Sequence, residues 1–390
     1  MLNDDVIDKL VDRIEQRINK ANEYIIEQIG ESINKLGALS PSKANQLVNI
    51  LKYGGDYNKI VKELSRITKL NIKEINEIFD EVAKSDYRFA KQFYEYRNKP
   101  YVPFDENKAL VNQVNVIKEA SLEDFANISN TKMLGYGIKQ EDGTVIFKGL
   151  KETYNDILDE VIININQGKE STSEGLKRTI EAIGESGLKV IYPSGYTRRL
   201  DSSIRMNILD GINKVHNTTQ EVLGKQFGSD GIEITAHINP AKDHEKLQGR
   251  QFSMKEYEKL NNGQEAKAED GTIIPANKRR RPISTMNCRH RVFHIVLGVS
   301  KPRYTDEQLD KIIEDNEKGF TYEGNHYTNY EGTQLQRQLE LKIRKENDKI
   351  IMAEKIQDPD IDAIRSKAEA NIKIYKKKRR ELQKLIYGGT

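Results

Sequence analysis

The chain has 390 residues, 63 Lys and Arg against 60 Asp and Glu for a net charge of +3, and 36% hydrophobic with 32% charged residues. That is enough for two or three domains with real cores and describes a helix-rich globular protein, while a near-neutral balance leaves any nucleic-acid argument to local clusters. No apolar run approaches the ~18 residues needed to span a bilayer and the start Met1-Leu2-Asn3-Asp4-Asp5-Val6 lacks a secretory pattern, so the expectation is a cytoplasmic product with no membrane partner.

Residues 3–37 read as one long amphipathic helix, with Ile7, Leu10, Val11, Ile14, Ile18, Ala21, Ile25, Ile29 and Ile33 at three- and four-residue steps. Helical segments follow at 41–52, 57–69, 71–84 and 87–97, so residues 1–100 are expected to form a helical N-terminal domain, with 101–135 as a connection marked by Pro100 and Pro103. From 136 to 304 the period is mixed. Thr144-Val145-Ile146-Phe147 predicts a strand, 152–167 and 171–184 helices, Lys189-Val190-Ile191-Tyr192 a strand, 197–224 a helix, and Ile232 to His237 another strand.

A loop is expected over 261–282 and a strand over Arg291 to Leu297. Helices are expected at 305–316, from about Thr333 to the break at Asp358-Pro359-Asp360, and over 361–386. The predicted fold class is therefore α+β and predominantly helical: a helical N-terminal domain, a central α+β domain with a small sheet, and over 305–390 a basic C-terminal helical hairpin or arm.

All six histidines and the only cysteine fall between His216 and His326. With one cysteine there is no intrachain disulfide, and Cys288 is left as core filler, metal ligand or nucleophile. His237 and His244 flank a turn containing Pro240, and Cys288 and His290 stand two apart on another segment. Tetrahedral zinc accepts thiolate and imidazole together, so these four are candidate ligands, although their spacing matches no common zinc ribbon or finger. Satisfied polar residues of a core explain the same four without a metal, and a Cys–His nucleophile pair is a third reading. Neither a Walker sequence nor a glycine-rich dinucleotide motif is present, which argues against nucleotide hydrolysis.

Two basic runs suit sequence-blind contact with a nucleic-acid backbone. One is Lys278-Arg279-Arg280-Arg281. The other lies in 371–386, with Lys376, Lys377, Lys378, Arg379 and Arg380 at its centre and Lys373 and Lys384 on either side. A solvated helix face accounts for the second without any nucleic acid, since long charged helix ends are common and Tyr375 is the only aromatic interleaved there.

Taken in order, several motifs resemble the minor capsid protein 2 family of tailed phages, which looks related to the Mu F-like head morphogenesis proteins. They are Tyr192-Pro193-Ser194-Gly195; Arg199-Leu200-Asp201-Ser202-Ser203-Ile204-Arg205; Ala236-His237 with Asp243-His244; Gln248-Gly249-Arg250-Gln251-Phe252-Ser253; Asn287-Cys288-Arg289-His290; and Tyr330-Glu331-Gly332-Thr333-Gln334-Leu335-Gln336-Arg337-Gln338-Leu339-Glu340. The family's usual turn after Ala-His and its Trp before Gln-Gly are replaced by Asn239-Pro240-Ala241-Lys242 and Leu247, and the chain has no Trp.

The resemblance implies a non-enzymatic structural component of the virion, made in the host cytoplasm and located in the capsid interior or at the portal vertex. It would act in head morphogenesis, DNA packaging or DNA delivery. Implied partners are the portal protein and the major capsid or scaffold proteins, with backbone contacts to packaged DNA. The resemblance brings no catalytic residues and no cofactor, and zinc stays open from the Cys and His motifs. The competing classes are a packaged transferase or hydrolase, zinc-dependent or not, and a free sequence-nonspecific DNA-binding protein.

Overall fold

The structure is a computed structural model describing residues 4–53, 55–140, 142–167, 169–261, 282–285, 288–356 and 358–388. It is predominantly helical with small antiparallel sheets, the α+β class expected. No described helix is long and apolar enough to cross a membrane.

The chain divides into two compact units, each made of three segments: Met1–Val11, Lys73–Asp124 and Met206–Thr333 in the first, Asp12–Ile72, Phe125–Arg205 and Gln334–Thr390 in the second. This differs from the serial succession 1–100, 101–135, 136–304 and 305–390. The reason is visible in the helices, because α1 (Asp4–Gly37), α3 (Gly55–Tyr96), α4 (Lys108–Ile128), α7 (Leu200–Phe227) and α10 (Asn329–Lys355) each run past a boundary. The 42 residues of α3 amount to about 63 Å of helix, too long to pack against one small core.

The expected helices at 57–69, 71–84 and 87–97 all fall within α3, which runs unbroken through residues 70 and 85–86, where the nearby polar Asn71 and Asp86 face inward. Both are buried, at 0% and 2% exposure, and both are partnered. Arg17 Nη1 donates to Asn71 Oδ1 at 3.0 Å, and His216 Nδ1 lies 2.6 Å from Asp86 Oδ2. Likewise the expected connection contains α4, entered through Asn107, whose Oδ1 accepts from the Leu110 backbone N at 3.3 Å and so caps it.

The second unit holds a four-stranded sheet in the order β2-β1-β3-β4, with β1 Leu134–Lys139, β2 Val145–Gly149, β3 Lys189–Ile191 and β4 Thr197–Arg199, all pairs antiparallel. β1 escapes a hydrophobic-alternation reading because glycines interrupt Leu134-Gly135-Tyr136-Gly137. One of them is required, since a Cβ on Gly135 would stand 2.0 Å from the Lys148 carbonyl oxygen. β4 takes the residues expected to begin the next helix, which starts instead at Leu200.

Also in this unit are α2 (Pro41–Tyr53), α5 (Leu150–Gln167) and α6 (Lys169–Ser186). Ser32 Oγ on α1 meets Tyr154 OH on α5 at 2.9 Å. After the turn at Pro359–Ile361, α11 (Asp362–Tyr387) runs back along α10. Arg379 pairs with Glu340 at 3.0 Å and Asn371 Nδ2 donates to Glu346 at 3.3 Å, so this is the expected helical hairpin.

In the first unit a three-stranded antiparallel sheet has β5 (Gly231–Ile234) between β6 (Gln251–Ser253) and β7 (Val292–Ile295). β5 is buried along its whole length, as a central strand must be. Aromatic pairs fill the neighbouring core, with Phe93 and Phe227 centroids 5.1 Å apart and Phe89 and Phe293 also 5.1 Å apart. The unit also contains α8 (Met254–Asn261), α9 (Asp306–Lys318) and the hairpin of β8 (Phe320–Tyr322) and β9 (Asn325–Tyr327). Thr305 and Gln308 form a reciprocal capping box at the start of α9, which fixes where that helix begins.

Candidate metal centre

β5 and β7 present the two halves of the His/Cys motifs to each other. After Ile234 the chain leaves the sheet and returns to it at once: the Gly249 N donates to the Ile234 carbonyl at 2.9 Å, and Ile234 N to the Arg250 carbonyl at 3.1 Å. Between these points the helical turn around His244 is closed by the Gln248 N bonding the His244 carbonyl at 3.2 Å. Asn239, at φ 54°, and Gly249, at φ 71°, take left-handed conformations at its two ends.

On the other side, the segment leading into β7 is pinned by Asn213 Nδ2, which donates to the Cys288 carbonyl at 2.9 Å. A second tie runs from the Arg291 N to Thr235 Oγ1 at 2.9 Å. Cys288 thereby joins a cluster of Ile232, Ile234, Leu247, Ile283 and Val292.

Three of the four predicted ligands converge. Cys288 Sγ lies 3.6 Å from His244 Nδ1 and 3.5 Å from His290 Nδ1, and the donor atoms of all three residues fall within 4.8 Å of one another. They are 2%, 8% and 5% exposed for His244, Cys288 and His290.

The far side of His290 is held as well: its Nε2–H donates to Gln248 Oε1 at 3.1 Å, and the same oxygen accepts the His237 backbone N at 2.9 Å. His237 is adjacent to this set. Its ring centroid is 4.8 Å from that of His290, and its Nε2–H donates to the Arg289 carbonyl at 2.7 Å. The fourth predicted ligand therefore braces the Cys288–His290 segment through the backbone.

Burial by itself would push the Cys288 thiol up. The hydrogen bond and charge of His244, joined by backbone groups of Ser284 and His290, outweigh it and hold the thiol below its ordinary value. A thiol that ionises readily between two imidazoles is suited to bind a cation or to share a proton. A nucleophile must also meet its substrate, and burial of Cys288 speaks against that use.

The other three histidines lie elsewhere. His216, fully buried on α7, bridges Asp86 and the Val292 carbonyl, at 2.6 and 2.9 Å. His294, in β7, is pushed down to about 4 by burial first and then by the charges of His216 and Lys225. His326 sits in the β8–β9 hairpin. The sequence window thus combines a cluster with core and surface histidines. Gln248, which orients His290, carried no signal beyond its place in the Gln-Gly motif.

The basic run Lys278, Arg279, Arg280, Arg281 lies outside the described residues. On α11 the helical period sorts the second run. Lys376, Lys377 and Arg380 are exposed and share one face with exposed Lys373 and Lys384, at steps of three and four. Arg379 points the other way, to Glu340, and Lys378 is half-buried.

No curated protein and no solved structure shows a match to this sequence. The family described as phage minor capsid protein 2 matches residues 2–386, nearly the whole chain and with both halves of the histidine–cysteine cluster inside it. The chain therefore belongs to the phage minor capsid protein 2 family, whose members are structural proteins of the virion.

Proposed function

We propose that this virion component works at the portal vertex or on the capsid interior. There it would contact the portal protein and the major capsid or scaffold proteins during head morphogenesis, DNA packaging or DNA delivery, without a catalytic role. The observation that carries this reading is the family match over residues 2–386. Long helices such as α3 and the α10–α11 hairpin suit it, because extended helical faces are common docking elements between proteins.

The test is affinity purification of the portal protein from infected cells, combined with mass spectrometry of purified particles. This chain is expected in both samples. Its absence from particles, or its presence in particles without any recovery on the portal, would sink the assignment to the vertex.

One observation favours an added contact with DNA. The exposed face of α11 displays Lys373, Lys376, Lys377, Arg380 and Lys384 within twelve residues. Such a stripe attracts phosphates whatever their sequence, as a protein inside a filled head requires.

A further inference from the structure

At His244, Cys288 and His290 the two sulfur–nitrogen separations match those of a metal site, and all three donor atoms lie within 4.8 Å of one another. In a tetrahedral zinc centre, with Zn–S of about 2.3 Å and Zn–N of about 2.0–2.1 Å, the sulfur and a ligating nitrogen stand about 3.6 Å apart. The two sulfur–nitrogen separations here are 3.6 and 3.5 Å. We propose that His244 Nδ1, Cys288 Sγ and His290 Nδ1 bind one Zn²⁺ ion.

Three further observations support the site. The ligands present chemically matched atoms, one thiolate and two imidazoles, which suit borderline-soft zinc better than magnesium or calcium. His290 already has its outer nitrogen committed, Nε2–H to Gln248 Oε1, and this leaves the Nδ1 lone pair facing the sulfur. Such an outer partner is what fixes the tautomer and direction of a ligating histidine. Finally, Gln248 is itself 1% exposed and held by its second contact to the His237 backbone, so the orienting group is as rigid as the ligands.

The rival arrangement is a hydrogen-bonded chain, His244 Nδ1–H to sulfur and S–H to His290 Nδ1, which places the same atoms at similar distances. In the metal arrangement the thiol proton leaves and the ion bridges the excursion after β5 to the segment before β7. It would act as a structural staple between two pieces of backbone 44 residues apart in sequence. The proposal is independent of where in the virion the protein works.

The full chain, produced with zinc in the medium and purified under reducing conditions without chelator, is expected to carry about one Zn per chain by elemental analysis. Less than about a tenth of an equivalent after incubation with Zn²⁺ overturns the proposal in favour of the hydrogen-bonded chain. Replacing zinc by Co²⁺ in the wild-type protein gives a second reading that needs no variant. Intense visible bands of tetrahedral cobalt, with a near-ultraviolet thiolate-to-metal transition, are expected, and their absence overturns the site.

Cys288→Ser is expected to lose that transition, and its retention overturns Cys288 as a ligand. His237→Ala is expected to retain the metal, and loss of metal by a folded His237→Ala protein overturns the three-ligand assignment. Gln248→Leu is expected to weaken Zn²⁺ binding about 10–100-fold, as for other outer partners of ligating histidines, and unchanged affinity overturns its orienting role.

Discussion

Asp348 on α10 shows how a single buried carboxyl sets a pH response. Its carboxyl is 4% exposed and receives Asn22 Nδ2 at 2.9 Å, and Arg199 Nη2 stands 3.6 Å away. Burial raises it from 3.8 to about 7, against the opposing pull of Arg199 and with further help from the charges of Asp201 and Glu23. Between these two values the folded protein holds a proton that the unfolded chain has released. This group's contribution to stability therefore falls as pH rises from 3.8 to about 7 and stays low above that.

Asp348→Asn should remove that slope. Denaturant unfolding of both proteins at pH 4 to 8 measures it as a difference, so that carboxyls with the opposite shift cancel. Asp201 is one of these, held low by Arg199 and Arg344 against its own burial. A difference between wild type and variant that does not change with pH would refute the account.

At the level of elements, α11 is the clearest case of a sequence signal that geometry refined. The sequence marks a run of five cations from Lys376 to Arg380, and a run is a linear fact. On a helix with 3.6 residues per turn, such a run wraps around more than one face, so Arg379, exposed but paired with Glu340, and half-buried Lys378 fall off the stripe while Lys373 and Lys384 join it. If the stripe binds DNA, replacing Lys376, Lys377 and Arg380 by Glu should reduce the slope of log affinity against log salt by about 3, close to one unit for each phosphate that is no longer neutralised. Replacing Lys378 alone should leave it nearly unchanged. Fluorescence anisotropy with random-sequence duplex across a salt series measures both, and equal effects from the two variants would discard the stripe.

The same scale explains which elements the sequence revealed. α1 is legible because its apolar residues keep a helical period, and all from Ile7 to Ile33 named above are buried. β1 and β6 were hidden because one is rich in glycine and the other has three residues. Their strand character comes from pairing with β2, β3 and β5, which is a long-range property. α4 was hidden behind Pro100 and Pro103, which announce a connection but do not say how soon a helix resumes after it.

For the whole molecule, the interleaved units carry a prediction about fragments. Residues 1–100 read as a self-contained helical domain, yet they are divided between the two units at Val11 and again at Ile72. Expressed alone, that fragment should lack a cooperative unfolding transition and show poor chemical-shift dispersion, because each part leaves its partner segments behind. A sharp two-state melt of 1–100 would show that the serial division describes the folding unit better.

The sequence by itself determined the class of the protein, its α+β and mainly helical character, its family, and the segments that hold the histidine–cysteine chemistry. These follow from local periodicity and from motifs in order, which are properties of neighbours along the chain. Only the tertiary structure decided that His244, Cys288 and His290 meet while His237 braces them from the side, and that His216 belongs to a buried pair with Asp86. Residues 44 positions apart come into contact only when two antiparallel strands bring their ends together, and nothing in the spacing of His244 and Cys288 encodes that register.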